Sequence, residues 1–309
     1  MQTVLQKAKT FIYRNARPLD LARWRYHFEN GSKEEVVQTL MCYQNIDGGF
    51  GHALEADSWN PLSSPIQTWA ATEVLKEIDF DDRDHPIIDG IVHYLESTRQ
   101  FDSHVWFNTI ESNNRYPHAS WWHMNRKEDN EYNYNPTACL AGFLFYFAVQ
   151  GGGTQILACR IISEAVNAFL NSNGQDMHTI LCYIRLAQYY ERTGLSVENE
   201  FPGFISALRQ KVSASITQDT AQWEAGYACR PSQYFCTKSD PLYQDNRIMA
   251  DYECSFIKST QQQDGSWVVP WCWESYPEQW AVSKNWWKSH IIIKNLLYLK
   301  GVDPDWRKI

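Results

Sequence analysis

Apolar and polar residues alternate along most of this chain with the period of an α-helix. Val36, Leu40 and Tyr43 form an i, i+4, i+7 face, and Ile161 and Ala165 belong to another such face. No alternating run of six residues indicates a β-strand. The pattern predicts ten helices, over residues 3–14, 33–44, 65–78, 86–99, 136–150, 154–172, 176–193, 201–216, 246–262 and 283–300.

Local start signals agree with two of these helices. Ser64 precedes Pro65, which is typical of a capping residue followed by proline at the first helical position, and Asn135 precedes Pro136 in the same way. The stretch 217–245 lacks helical periodicity and contains prolines, so we expect an irregular segment there. No low-complexity linker divides the chain, which favours a single all-α domain over residues 1–309.

A short internal repeat follows two of the predicted helices. Residues 44–50 read QNIDGGF and residues 261–267 read QQQDGSW, so both fit the pattern Q-x-x-D-G-x-aromatic. Asp47 and Gly48 are expected to cap and reverse the turn, with Gln44 bonding to backbone at the helix end. Phe50 would pack between neighbouring helices. On this interpretation the glycines of the motif have an architectural role.

The repeated unit is a helix, a turn, a loop and a returning, more apolar helix. A third copy keeps only the later half, from "YPHASWW" at 116–122 to "NPTACLAGFLFYF". Such units bury their apolar faces by stacking side by side. With the helices from 65, 136, 176 and 283 inside, stacking predicts an α/α toroid, an incomplete ring of about five helical hairpins around a central cavity.

Composition narrows the functional classes. The net charge is −8 and no run of Lys or Arg exceeds two residues, so no nucleic-acid surface is expected. No apolar stretch is long enough to span a membrane, and the first residues do not form a signal peptide. The eight cysteines lack CxxC spacing, and five of them fall within predicted helices, so buried free thiols in a cytoplasmic protein are expected.

The repeated turns carry a resemblance to known families. "QNIDGGFG" and "QQQDGSW" resemble the glutamine–tryptophan repeats of triterpene cyclases and the GGFG repeats of protein prenyltransferase β-subunits, and both families use an α/α toroid. Nearly the whole chain is similar to uncharacterised bacterial proteins of this terpenoid cyclase and protein prenyltransferase superfamily. The resemblance implies the toroid fold but brings no known reaction.

The catalytic motifs of these families are only partly matched. The sequence DFDD at 79–82 fits the D-x-D-D acid motif of class II cyclases, but it lies between two helices among charged residues, which favours a surface turn. Asp251, Cys254 and His290 follow the order of the prenyltransferase zinc ligands, but Cys254 stands three residues after Asp251 instead of two. No metal or cofactor is therefore predicted.

Loops that enter the inner helices would line one mouth of the cavity, and four of them carry histidine, carboxylate and tryptophan side chains. His178 and His290 are expected near inner-helix starts, where the helix dipole lowers the pKa of an imidazole. Glu55 and Asp57 have structural alternatives, which are capping of the helix that starts near 65 and pairing with Arg17 and Arg23. The candidate catalytic residues are Glu55, Asp57, His178 and His290, and the candidate substrate-binding residues are His52, His118, Trp121, Trp122, Trp271, Trp273, Glu274 and Trp287.

Three functional hypotheses remain open at this point. The first is an enzyme of terpene-cyclase or prenyltransferase-like kind, acting on an apolar, isoprenoid-like substrate with Glu55 or Asp57 as the acid. The tryptophans would then stabilise a carbocation through their ring faces. The second is a carbohydrate-active or carbohydrate-binding toroid in which the same rings stack on a sugar. The third is a non-catalytic scaffold whose aromatic residues fill the core.

Overall fold

Helices are the dominant regular structure in the computed structural model, which describes residues 3–130 and 133–306. Within these residues β-structure is limited to isolated bridges, so the prediction of an all-α fold is confirmed. The helices are α1 Val4–Asn15, α2 Pro18–Phe28, α3 Lys33–Met41, α4 Pro65–Glu77, α5 Pro86–Ser97, α6 Thr137–Phe147, α7 Gly153–Asn171, α8 Met177–Arg192, α9 Val197–Glu200, α10 Phe204–Ser215, α11 Ala221–Ala225, α12 Arg247–Ser259 and α13 Pro277–Val302.

All ten predicted helices are present, with ends that differ from the predictions by a few residues at most places. Ser64 caps α4 as predicted, because its side chain accepts the backbone N–H of Gln67 at 3.2 Å. In the part of the chain described, only the short helix α11 and two 3-10 turns lie between α10 and α12, which agrees with the predicted irregular segment.

The α-helical stretches that were not predicted are α2, the short helices α9 and α11, and residues 277–282 of α13. Helix α2 was missed because its buried face contains charged residues, with Asp20 and Arg23 almost fully buried, and so the apolar period is broken. Helix α13 begins at Pro277 instead of 283, directly after Tyr276. His290 is therefore in the middle of a 26-residue helix, and the expectation that it lies near a helix start is wrong.

The chain divides into two compact units, Met1–Thr39 with Val212–Ile309, and Leu40–Lys211. In the first unit α13 packs against α1, α2 and α12. In the second unit every residue of α6 is buried, and α6 packs against α7 and α8 and also contacts α4 and α5. The central helix of the second unit is therefore α6, whereas α13 buries one face against its three neighbours. The arrangement of hairpins into a single toroid domain stays a prediction.

The repeated turn has the same set of contacts in both copies. In the second unit Gln44 donates its amide hydrogens to the carbonyls of Gly48, at 2.9 Å, and of Ile87 in the first turn of α5, at 3.3 Å. Asp47 Oδ1 accepts the backbone N–H of Gly49 at 3.1 Å and so caps the turn. Phe50 is fully buried.

In the first unit Gln261 has the matching position. Its amide donates to Gly265 O at 3.0 Å and to Val4 O, in the first turn of α1, at 2.9 Å. Asp264 accepts the N–H of Ser266 at 2.9 Å, and the ring of Trp267 is buried. Each motif therefore fastens the end of one helix to the start of a neighbouring helix, which supports its predicted architectural role.

Two further sequence interpretations can be compared with the structure. The DFDD stretch is a surface turn, as expected, with the side chains of Asp79 and Asp81 79% and 52% exposed. The cysteines are free thiols, but Cys42 and Cys159 are exposed, contrary to the expectation that they are buried. No helix in residues 3–130 and 133–306 is both long and apolar enough to cross a membrane.

Candidate functional site

Two of the loops predicted to form a site lie side by side in the second unit. The backbone N–H of Trp59 donates to Pro117 O at 2.9 Å, and the N–H of Ala119 donates to Asp57 O at 2.9 Å. Ser58 and His118 form the isolated β-bridge between these two bonds. Residues 52–60 and 116–123, here called the loop pair, are thus joined through their backbones.

A network of buried side-chain amides connects the loop pair to helix α4. Gln67 of α4 accepts the N–H of Leu54 at 2.9 Å and donates to Asn60 O at 3.0 Å. Asn60 in turn donates to Asn113 Oδ1 at 2.9 Å, and Asn113 donates to Trp122 O at 3.1 Å. The three amides are almost fully buried, so these bonds fix both loops to the start of α4.

The two candidate acids lie within the loop pair. Glu55 and Asp57 are both buried, at 8% and 2% exposure. Glu55 Oε2 accepts the backbone N–H of Asp57 at 2.8 Å, which holds the Glu55 carboxylate against the loop. A carboxylate fixed in this way loses little conformational freedom on contact with a ligand.

His118 and His123 form a hydrogen-bonded pair whose rings are nearly parallel and meet edge to edge. Their rings are 5.3 Å apart, and His118 Nε2 is 3.1 Å from His123 Nδ1. His118 Nδ1 is 2.6 Å from the Tyr116 carbonyl, which can only accept, so Nδ1 carries the hydrogen. When both rings are neutral, His123 therefore donates through Nδ1, and its Nε2 is the basic nitrogen of the pair. His123 is exposed, so protons from solvent can reach it.

The remaining candidates of the second unit differ in their surroundings. His52 is exposed and bonds to Asn45 Oδ1 at 2.9 Å, which fits a structural role at the motif turn. Trp121 is 44% exposed at the tip of the loop pair, whereas Trp122 is half-buried. His178 is the second residue of α8, which Asp176 caps. Burial lowers the pKa of His178, while the charge of Asp176 opposes that shift.

The candidates of the first unit form an aromatic row. Trp271 meets Trp287 edge to face at 5.1 Å, and Trp287 meets the ring of His290 in the same way at 5.5 Å. Trp273 is buried and lies 5.7 Å from Trp280. Glu274 is exposed.

A buried ionic cluster that the sequence pattern did not reveal adjoins this row. Asp20 accepts Arg17 Nε and Arg23 Nη1, each at 2.9 Å, and Arg23 Nη1 is also 3.3 Å from His290 Nδ1. The Arg17 guanidinium lies 5.2 Å from the Trp286 ring centre. Burial opposes ionisation of Asp20, but the charges of Arg17 and Arg23 outweigh it, and the pKa of Asp20 is lowered.

The structure thus brings most of the predicted residues together in two groups, one in each unit, while His178, Trp273 and Glu274 lie outside both groups. The loop pair holds Glu55, Asp57, His118, Trp121 and Trp122, and the aromatic row holds Trp271, Trp287 and His290. That all of them share one mouth of a cavity stays a prediction. Among the described residues, no group of three or more His, Cys, Asp or Glu side chains is arranged to hold a metal ion.

Comparison of the chain with protein families, with curated proteins and with solved structures finds no match.

Proposed function

We propose that this chain is a cytoplasmic α/α-toroid enzyme of terpene-cyclase or prenyltransferase-like kind, acting on an apolar, isoprenoid-like small molecule at the loop pair. The observation that carries the proposal is the backbone pairing of residues 57–59 with 117–119, which places Glu55 and Asp57 in the same rigid structure as His118. The matching contacts of the two motif turns support the toroid part of the proposal.

The proposed reaction begins with proton transfer from a carboxyl group to a carbon–carbon double bond. Glu55 or Asp57, in its protonated form, gives its hydrogen to one alkene carbon, and the π electrons form the new C–H bond. The other carbon becomes a carbocation, which a tryptophan ring face stabilises. The carbocation then loses a proton to water, which gives the product, and a proton from solvent restores the carboxyl group.

The matching test uses isosteric replacements of the two acids. Glu55→Gln and Asp57→Asn keep side-chain size and remove the proton donor, so the double variant is expected to lose at least 100-fold in turnover of polyprenyl substrates. Asp84→Asn, a change to an exposed carboxylate in the same unit, serves as the matched control. Products are detected by mass spectrometry. Turnover that is equal in all three proteins would rule out the acids, and the lack of any turnover would favour the scaffold.

One observation favours carbohydrate as a second candidate ligand. Trp121, which belongs to the same loop as His118 and His123, is 44% exposed, and a ring that stacks on a sugar must be accessible in this way. Binding of oligosaccharides that is lost in Trp121→Ala and kept in Trp121→Phe would support this alternative over the isoprenoid one.

A further inference from the structure

An ion pair between α4 and α8 lies outside the loop pair and has no role in the proposed reaction. Arg185 Nε donates to both carboxylate oxygens of Glu73, at 2.9 and 3.0 Å. The thiol of Cys139 lies 3.7 Å from Glu73 Oε1, and it comes from the fully buried helix α6. Side chains from α6 and α8 therefore hold the Glu73 carboxylate of α4, and Glu73 in turn holds the Arg185 guanidinium.

The outer edge of the guanidinium remains available after these contacts. Arg185 Nη1 donates one hydrogen to Gln188 Oε1 at 3.1 Å. Arg185 makes no other hydrogen bond within residues 3–130 and 133–306, which leaves the second hydrogen of Nη1 and both hydrogens of Nη2. The Arg185 side chain is 12% exposed, so it is largely but not completely buried. Two parallel N–H groups on a planar edge are suited to a two-oxygen acceptor.

Other half-buried side chains lie on the same faces of α4 and α8 as this ion pair. Trp69 lies one turn before Glu73 on α4, and His178 lies two turns before Arg185 on α8. Both are half-buried, like Glu73, Arg185 and Gln188, while most flanking positions of the two helices are buried. An aromatic ring, an amide and an imidazole thus share the face with the guanidinium.

We propose that Arg185 binds a carboxylate or phosphate group of a small molecule through Nη1 and Nη2, with Glu73 and Gln188 as positioning residues. The anionic group would belong to the same ligand that reacts at the loop pair, and only this link rests on the proposed function. Glu73 and Gln67, which holds the loop pair, are six residues apart on α4, about 9 Å along the helix axis. A ligand of that length, with an apolar body and one anionic end, would reach both places.

The ion pair alone carries no net charge, so recognition depends on the geometry of the guanidinium edge. Arg185→Lys keeps the charge but replaces the planar fork by a single ammonium group. We therefore expect Arg185→Lys to weaken anion binding at least tenfold. Arg160→Lys is the matched control, because Arg160 forms an ion pair with Glu164 at 2.7 Å on the surface of the same unit.

The experiment is thermal unfolding of wild type and variants in inorganic phosphate or acetate, at an ionic strength kept constant with sodium chloride. A ligand that binds the folded state raises Tm with concentration. We expect Arg160→Lys and the Glu55→Gln, Asp57→Asn double variant to respond like wild type, and Arg185→Lys and Arg185→Gln to lose the response. A Tm increase in phosphate alone identifies a phosphate site, and one in acetate alone a carboxylate site.

Equal responses in wild type and the Arg185 variants, or no response in wild type, would overturn the proposal and leave a structural ion pair. A second measurement needs no variant. Butanedione modification of Arg185 in wild type, followed by peptide mass spectrometry, should slow at least threefold in the anion that raises Tm, while Arg160 modification stays unchanged. Unprotected modification of Arg185 would contradict the proposal. The double variant lacks the two loop-pair acids but should still show the Tm increase with the anion. Failure of the loop-pair reaction can therefore be distinguished from failure of the Arg185 site.

Discussion

Gly48 lies so close to the backbone of Gly90 that a Cβ atom added to Gly48 would overlap the Gly90 carbonyl. Gly48 also has a φ of +84°, in the left-handed region that disfavours other residues. The relationship recurs in the second motif copy, where Gly265, with φ +92°, approaches the carbonyl of Lys7 in α1. The motif glycine therefore serves both the turn and the packing of the turn on a neighbouring helix.

Replacement of Gly48 by alanine should cost more stability than its φ alone explains. Gly194 has the same φ of +84°, but a Cβ added there would meet no atom within 4 Å, so Gly194→Ala measures the backbone term, about 1 kcal/mol. Gly48→Ala adds a backbone collision, and we expect a loss of at least about 3 kcal/mol in the free energy of unfolding. Urea denaturation of both variants is the check. Equal losses would show that the close approach to Gly90 has no energetic weight.

The motif glutamines should stabilise the fold through the N–H donors of their side-chain amides. Gln44→Glu keeps the side-chain length but faces the carbonyls of Gly48 and Ile87 with a carboxylate. We expect it to lower the free energy of unfolding by about 2–3 kcal/mol, and Gln44→Ala by about 1–2 kcal/mol. Gln261→Glu should behave in the same way, because Gln261 bonds Gly265 and Val4. If chemical denaturation shows that Gln44→Glu and Gln261→Glu are as stable as wild type, this role of the amide is contradicted.

Much of the fold could be predicted because local signals and apolar periodicity agree. Ser64 with Pro65 set the start of α4, and the Q-x-x-D-G pattern indicated a turn whose contacts the structure contains twice. Helix α2 could not be found in this way, since Asp20 is buried by pairing with Arg17 and Arg23 instead of by apolar character. Pairing of that kind leaves no periodic signal in the sequence.

The residues of the candidate site could be predicted from the sequence, but their arrangement in space could not. The sequence indicated the loops of Asp57 and His118, and the structure pairs their backbones. The position of His290 in its helix was predicted wrongly because the start of α13 carries no usual capping signal. Tyr276, the residue before the helix, has a φ of +56° and makes no capping side-chain hydrogen bond. Arg185 gave no signal at all, because its partner Glu73 is 112 positions away in the chain.

Glu253 should make the protein less stable as pH rises. It is fully buried and accepts the N–H and hydroxyl of Ser232 at 2.8 and 2.6 Å. Burial raises the pKa of Glu253, although Arg230 and Ser232 oppose the shift. A raised folded-state pKa contributes stability that is complete below the unfolded value of about 4.3 and is lost as pH rises through the folded value.

Glu253→Gln removes this ionisation and can keep both contacts to Ser232. We therefore expect the stability of wild type relative to Glu253→Gln to fall as pH rises from about 4 toward neutral pH. Urea denaturation at several pH values in this range measures the difference. A difference that is constant with pH, or that grows in favour of wild type, would be inconsistent with a raised pKa.

Asp20 should show the opposite dependence on pH. Its lowered pKa means that its contribution is present above the unfolded value of about 3.9 and is lost as pH falls through the folded value. Asp20→Asn is expected to lower the free energy of unfolding by about 3–5 kcal/mol at pH 7, with a smaller deficit below about pH 4. Glu164→Gln, in the partly exposed pairs with Arg160 and His104, should cost less than about 1 kcal/mol. A deficit for Asp20→Asn as small as that of the control would contradict the importance of the buried cluster.

The central claim is that the loop pair with Glu55 and Asp57 is a small-molecule site. Native mass spectrometry tests it most directly, with wild type, the Glu55→Gln, Asp57→Asn double variant and Asp84→Asn each incubated in the same metabolite extract of the host cells. The account predicts that wild type and Asp84→Asn acquire the same added mass and that the folded double variant does not. Identical added masses on all three proteins, or none on wild type, would contradict it.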